Sequence, residues 1–251
     1  MNPYCRTQLG TLYHGDSYEL VSRLKPQPTI LLTDPMTGQG ANTQGKTSKR
    51  GKRKRLNGGW VENQDWPIMA DDVPFDPLPW LHYSQIILWE ANHFSETLPQ
   101  NPKWIIWDKR GKETNRDDNA DCEMAWTNLP GVSRVFHHLW KGICREGEEN
   151  IAKAGPKLHP FQKPIALMLF CLQQFRLDAQ SVVLDPFAGS GTTPAACERR
   201  GIRWIAIEQD AHFCDTIAQR VKKEERARQN RKKQGDLWPD YTHAVQEPLF
   251  A

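Results

Sequence analysis

Short apolar runs closed by turn residues punctuate this chain, and they predict its elements. Thr29 to Thr33 is a continuous run closed by Asp34-Pro35, the form of a strand buried on both faces of a parallel sheet. Gln85 to Trp89 and Trp104 to Trp107 have the same form, and Asn92 to Leu98 between them suits a short helix. Pro164 to Arg176 reads as an amphipathic helix with proline near its first turn. Ser181 to Leu184 predicts a strand, Asp185 to Gly191 a glycine-containing turn, and Thr192 to Arg200 a helix. Arg203 to Ile207 is the next strand, ending at Glu208, and Asp210 is placed to N-cap a helix from Ala211 into a basic tail. Strand, turn, helix, strand, acid is the order of a nucleotide-binding β-α-β unit in a parallel sheet.

Two stretches lack such periodicity. Thr37 to Gly59 is rich in Gly, Asn, Thr, Ser and Lys, which predicts a long loop of the kind that usually has a function. Asp108 to Lys157 has mixed charge and aromatics at Trp126, Phe136 and Trp140; it reads as an irregular insert with one or two strands. The 251 residues suffice for one sizeable α/β domain with appended loops. With 38% hydrophobic and 25% charged residues the composition is globular, and no apolar run reaches the ~18–20 residues that span a bilayer. Met1 to Tyr13 shows no export signal, so a cytoplasmic location is expected, without a membrane partner. The six cysteines are scattered without a C-x-x-C pair, so reduced thiols are expected, with no disulfide framework and no metal site.

The net charge of +3 says little, but its distribution says more. Lys46, Lys49, Arg50, Lys52, Arg53, Lys54 and Arg55 occur without an acid among them, and a second basic region runs from Arg220 to Lys233 around Glu224 and Glu225. Clustered cations on a balanced protein form a footprint for a polyanion; a solvated loop or helix face is the equal alternative.

The sharpest string is Asp185-Pro186-Phe187-Ala188-Gly189-Ser190-Gly191-Thr192-Thr193, between a strand and a helix. A nucleotide phosphate loop would need Gly-Lys-Ser/Thr, and the Lys is absent. A dinucleotide fingerprint would need a third glycine after Gly189 and Gly191. The string resembles instead the cofactor motif of amino-group DNA methyltransferases. Glu208, 23 residues after Asp185 at the end of the next strand, stands where a carboxylate accepts from both ribose hydroxyls. Upstream, His159-Pro160-Phe161-Gln162-Lys163-Pro164 is similar to the family's H-P-T-Q-K-P element, with Phe161 in place of Thr. That resemblance puts His159, Gln162 and Lys163 beside the cofactor; an ordinary loop-to-helix junction is the alternative.

Gly15-Asp16-Ser17 resembles the family's N-terminal G-D-C/S segment, and Asp34-Pro35-Met36-Thr37 stands where it has D-P-P-Y. The catalytic motif before the cofactor motif is the order of the β class, and the resemblance covers residues 9–40 and 157–225 well. It implies a Rossmann-like α/β fold, a mostly parallel sheet flanked by helices, and S-adenosylmethionine as cofactor. It implies cofactor binding by Asp16, Ser17, His159, Gln162, Lys163, Asp185, Pro186, Phe187, Gly189, Ser190, Gly191, Thr192 and Glu208. Asp34 and the Pro35 carbonyl would be catalytic: accepting both amine N–H bonds frees a lone pair otherwise delocalised into the base. An acid at position 34 favours adenine N6 over cytosine N4, where Ser is commoner. The absence of a Pro-Cys dipeptide disfavours cytosine C5. Met36 and Thr37 depart from the motif, since neither stacks on a base as tyrosine does. Trp60 or Trp66 is a substitute ring; a weak or silent cofactor- and DNA-binding relative is the alternative.

The expected organisation is a methyltransferase domain over 1–225, with a basic DNA-binding loop at 37–66 and a target-recognition insert at about 109–156. Lys46, Lys49, Arg50 and Lys52 to Arg55 would meet phosphates of double-stranded DNA. Lys109, Arg110, Arg116, Arg134 and the His137-His138 pair are available to the insert, the pair with no assigned role. A tail over 226–251 ends in Gln246-Glu247-Pro248-Leu249-Phe250, which resembles a peptide that docks on the replicative sliding clamp. Gln246, Leu249 and Phe250 would be its anchors; a tail packed on its own domain is the alternative. A homodimer is a further candidate assembly, and a bacterial or bacteriophage source follows from the resemblance alone.

Overall fold

The computed structural model describes residues 1–38, 73–110, 120–140, 158–159 and 161–234, and the backbone of strand residues 53–54, 60–61, 141 and 144–145. Nine strands form one sheet. They are β1 (Cys5–Arg6), β2 (Gly10–His14), β3 (Ile30–Thr33), β4 (Gln85–Trp89), β5 (Trp104–Asp108), β6 (Cys122–Thr127), β7 (Arg134–His137), β8 (Val182–Asp185) and β9 (Arg203–Glu208). Their spatial order is β1-β2-β9-β8-β3-β4-β6-β5-β7. The strands from β2 to β4 in that order pair in parallel. β6 runs antiparallel to β4 and β5, β7 is parallel to β5, and β1 is antiparallel to β2. The chain winds outward from β3 in one direction and from β8 in the other. These two neighbours therefore mark the switch point where open α/β sheets form a crevice.

The parallel strands are apolar on both sides because both faces are covered. On one face α2 (Ile165–Leu172), α3 (Thr192–Arg200) and α4 (Ala211–Lys233) bring Leu167, Cys171, Ala196, Ile217 and Val221 onto Ile30, Leu32, Ile87, Val183 and Trp204. The other face has no long helix among the described residues. Trp80, Tyr83, Phe94 and Leu24 cover Leu31, Ile86, Leu88, Leu184 and Ile207, helped by the short α1 (Ser17–Leu20). Gly10 lies where β2 passes the Trp204 ring; a Cβ there would come within 2.2 Å of ring carbons.

The predicted strands and the helices after 192 and 211 form with ends within a residue or two. Four differences are informative. Asn92 to Leu98 is not an α-helix but two 3₁₀ turns, Ala91–His93 and Ser95–Thr97, broken at Phe94 (φ −135°), whose ring is buried in the core. α2 stops at Leu172, four residues short of the expected Arg176. The segment expected as an irregular insert supplies β6 and β7 to the central sheet, and 140–141 pairs with 144–145. The first half of β6 lacks an apolar run because those residues are exposed or only partly buried. α4 also continues unbroken past residue 225, so the boundary expected there falls inside a helix.

Among the described residues no helix is long and apolar enough to cross a membrane. The thiols of Cys5, Cys122, Cys171, Cys197 and Cys214 are free.

Candidate active site

Because seven strands run the same way, their C-terminal ends share one rim. Asp16 follows β2, Asp34 follows β3, Glu90 follows β4, Lys109 follows β5, and Asp185 and Glu208 close β8 and β9. A cavity of about 870 Å³ opens there, within the usual size of a small-molecule site.

Its first wall is the turn from β8 into α3. Asp185 is buried, accepts from Thr33 Oγ1 at 2.7 Å, and burial pushes its carboxyl up to about 6. The Pro186 carbonyl accepts from Ser17 Oγ, which fastens this turn to the start of α1. Asp16 caps α1, accepting from the amides of Tyr18 and Glu19 at 2.8 and 3.2 Å. Phe187 packs edge-on against Trp80 and Phe75. Glu208 accepts from Gly189 N at 2.7 Å and Asp210 N at 2.9 Å; burial pushes its carboxyl up to about 7. Gly191 adopts φ +72° and a Cβ there would lie 2.9 Å from Ile217, so glycine is required twice over. The Thr192 hydroxyl is bound inside the protein, donating to the Lys163 carbonyl at 3.1 Å and accepting from Arg220 Nη1 at 3.0 Å. The Gln162 side chain accepts from Leu158 N at 2.7 Å, its carbonyl accepts from Trp140 Nε1 at 3.0 Å, and the His159 ring meets Phe213 edge-on at 4.4 Å.

The second wall is ionic. Lys163 Nζ lies 2.8 Å from Asp34 Oδ2, 2.7 Å from Glu123 Oε2 and 3.4 Å from Glu90 Oε1, and Lys109 Nζ lies 2.8 Å from Glu123 Oε1. Burial, reinforced by the neighbouring carboxylates and opposed by Lys163, pushes Asp34 up to about 7. Burial raises Glu90 as well. It works against ionisation of Glu123 too, but Lys163 and Lys109 outweigh it and hold that carboxyl down at about 2. Asp34 Oδ1 is buried and has no hydrogen-bond partner among the described residues, an arrangement that costs ~1–3 kcal/mol until a donor arrives. Glu90 has φ +57°, a left-handed conformation that costs a non-glycine residue about 1–3 kcal/mol and persists only where its surroundings enforce it.

The fold thus brings Asp16, Ser17, His159, Gln162, Lys163, Asp185 to Ser190, Thr192 and Glu208 to the same cavity as Asp34 and Pro35. Gly191 faces Ile217 instead, and the Lys163 ammonium reaches the Asp34 side. The basic residues Lys46 to Arg55 and the tail anchors Gln246, Leu249 and Phe250 lie outside the described residues, apart from the backbone of Arg53 and Lys54, which pairs with 60–61. So do Arg116, Trp66 and the Trp60 side chain.

Part of the second basic region is engaged within the fold, while Lys223, Arg226, Lys232 and Lys233 are exposed. Arg220 binds Ser190 and Thr192, Lys222 pairs with Glu225, and the buried Arg228 lies 3.5 Å from Glu198. Lys109 and Arg110 are likewise held, by Glu123 and Asp108.

Glu90 and Glu123 were not foreseen. Glu90 carried a usable signal, an acid directly after a buried strand, as at Asp34 and Glu208. Glu123 carried none, because only the register of β6 against β5, with Glu123 opposite Trp107, brings it to the site.

A family model described as DNA methylase, for N6 and N4 enzymes, matches residues 85–220. The chain belongs to this DNA methylase family. The methyltransferase is 34% identical to the type II methyltransferase M.HinfI of Haemophilus influenzae over 255 residues, 85% of this chain and 68% of that protein. It is 25% identical to the type II methyltransferase M.ScaI of Streptomyces caespitosus over 264 residues, 88% of this chain and 84% of that one. The solved structure of the cytosine-N4-specific PvuII DNA methyltransferase superposes with a TM-score of 0.53 at 16% identity, over 93% of this chain and 95% of that one, a likeness of fold. S-adenosylmethionine is the family's cofactor, and the residues present fit it. The buried Glu208 carboxylate suits ribose hydroxyls, and Gly189 leaves the rim of the turn free of a side chain. Among the described residues no group of His, Cys, Asp and Glu is arranged to hold a metal ion.

Proposed function

We propose that this methyltransferase methylates an exocyclic base nitrogen at a specific sequence in double-stranded DNA, adenine N6 in preference to cytosine N4, with the base turned out of the stack into the cavity. The observation that carries this reading is Asp34 Oδ1, a buried acceptor without a donor among the described residues, at the switch point beside the turn that begins at Asp185. S-adenosylmethionine supplies an electrophilic methyl group on a sulfonium. Asp16, Glu208 and the turn from Asp185 to Thr192 hold that donor. Asp34 and the Pro35 carbonyl accept the two amine N–H bonds, turn the nitrogen lone pair toward the methyl group and match the charge that develops. N4-cytosine relatives more often have Ser, whose hydroxyl is a weaker acceptor than a carboxylate, at the position of Asp34, and on that resemblance the acid favours the adenine reading.

Met36 and Thr37 line the cavity but offer no ring. Tyr18 and Phe161, both exposed on its wall, supplement Trp60 and Trp66 as surfaces on which a base can stack. The loop from Lys46 to Arg55 meets the DNA phosphates in this reading, and residues 246–251 remain the proposed peptide for a sliding clamp.

Sequencing DNA from cells that express the chain, with modified-base detection, tests the proposal. N6-methyladenine in one sequence context, absent with Asp34→Ala, is the expected result. N4-methylcytosine would replace the adenine assignment. Equal background levels from both chains would overturn the enzyme reading in favour of a silent relative.

A further inference from the structure

The segment that carries His159 and Gln162 packs on the donor side, yet the next side chain leaves it. The Lys163 carbonyl is tied to Thr192 of the donor turn, while its ammonium, on a side chain only 7% exposed, is divided among Asp34, Glu123 and Glu90. All three ammonium protons have a carboxylate to bind, and the Trp89 ring lies 5.8 Å away. Nothing of that ammonium is left over for a cofactor unless this network is broken.

We propose that Lys163 is a positioning residue for methyl transfer: clamped by Glu90 and Glu123, it holds Asp34 by Oδ2 and leaves Oδ1 as the acceptor for the target amine. This rests on the amino-methyltransferase reading above. The clamp is built rather than incidental. Glu90 is kept in a left-handed conformation to meet the ammonium, and Glu123 is fixed from its far side by Lys109. The charge balance suits the reaction as well. With all three carboxylates ionised, they face two ammonium groups, which leaves one negative charge in the site. As the amine nitrogen takes the methyl group, the C–S electron pair stays with sulfur, and one N–H proton passes to Asp34. The surplus negative charge offsets the positive charge that reaches the amine before that proton leaves.

The groups that face Asp34 are Lys163, Glu90 and Glu123, with Lys109 behind Glu123 and His93 3.4 Å from Glu90. Removing the ammonium exposes Asp34 to like charges alone, whereas removing Glu123 relieves one of them. The two changes move the Asp34 carboxyl in opposite directions.

The test uses the full chain with Lys163→Met, Lys163→Arg and Glu123→Gln. Donor binding is measured by calorimetry, single-turnover methyl transfer is followed against pH, and Asp34 is titrated by ¹³C NMR. Lys163→Met is expected to slow transfer about 100-fold, the scale of a misplaced reactive group, with donor affinity unchanged. Its acidic limb shifts to higher pH, Lys163→Arg restores much of the rate, and Glu123→Gln shifts the limb to lower pH. A Lys163→Met chain that binds donor about tenfold more weakly but transfers at the wild-type rate when saturated would make Lys163 a donor ligand and overturn the proposal. If the wild-type chain transfers no methyl group, the parent reading fails, and the NMR titration still decides this one. An Asp34 carboxyl that titrates alike with and without the ammonium would refute it.

Discussion

Thr33 Oγ1 donates a 2.7 Å hydrogen bond to Asp185 Oδ1, joining the strand that leads to Asp34, the proposed acceptor site, with the strand that leads to the proposed donor turn. Both residues are almost fully buried, and 152 positions of sequence separate them. Losing the bond leaves a buried carboxylate short of a donor, so Thr33→Val is expected to cost ~1–3 kcal/mol, read from urea unfolding. The Asp185 carboxyl is raised to about 6 from an ordinary value near 4, so its contribution to stability is complete below about 4 and is lost as pH rises through about 6. The hydroxyl offsets part of that loss. The penalty of Thr33→Val is therefore larger at pH 8 than at pH 5; an equal penalty at both would show that the bond does not act on the ionised form.

In the proposed reading Glu208 gives donor binding its own pH dependence. Burial holds its carboxyl at about 7, and ribose hydroxyls donate best to the ionised form. Donor affinity should weaken as pH falls below about 7, by at most about tenfold per unit. Glu208→Gln should flatten that dependence and cost ~1.5–3 kcal/mol of binding at pH 8. Calorimetry from pH 8 to pH 6 reads both; a flat wild-type profile would remove Glu208 from the donor site.

Arg228 illustrates a cation that looks free in sequence and is not. Glu198 is fully buried, accepts from Trp204 Nε1 at 2.9 Å and from Thr7, and has Arg228 as its cation. Arg228→Met leaves that carboxylate uncompensated, with an expected cost of ~3–5 kcal/mol. Burial raises the Glu198 carboxyl, so the group favours the folded state below the ordinary glutamate range and loses that contribution as pH rises through its raised value. The defect should be milder at pH 5 than at pH 8. Thermal melts of both chains at the two pH values check this, and a pH-independent loss would point to packing alone.

The basic loop makes a different demand. Replacing Lys52 to Arg55 with Ala should lower the slope of log K against log salt for duplex DNA by ~0.9 for every phosphate contact removed. An unchanged slope in filter-binding or anisotropy titrations would move the DNA contacts elsewhere on the protein.

Much of the donor half was legible because it is local. The turn from Asp185 to Thr193, the acid of Glu208 and the Asp210 cap lie within 26 consecutive residues, and each has a backbone reason for its residue type. The acceptor half was legible only at Asp34 and Pro35. Lys163 was visible as part of a motif, but nothing in sequence indicated that its main chain would serve one wall and its ammonium the other.

By itself the sequence determined where buried strands form and which turn approaches a ligand, since these follow from short-range hydrophobic period, glycine conformation and capping. It could not determine the order β8-β3-β4-β6-β5, because strand pairing depends on hydrogen bonds between residues scores of positions apart. That pairing alone brings Glu123 of an antiparallel strand and Glu90 of a parallel one onto a single ammonium. It also brings Thr33, the residue before Asp34, onto Asp185. Burial then shifts their ionisation, and burial is a property of the assembled sheet rather than of any segment within it.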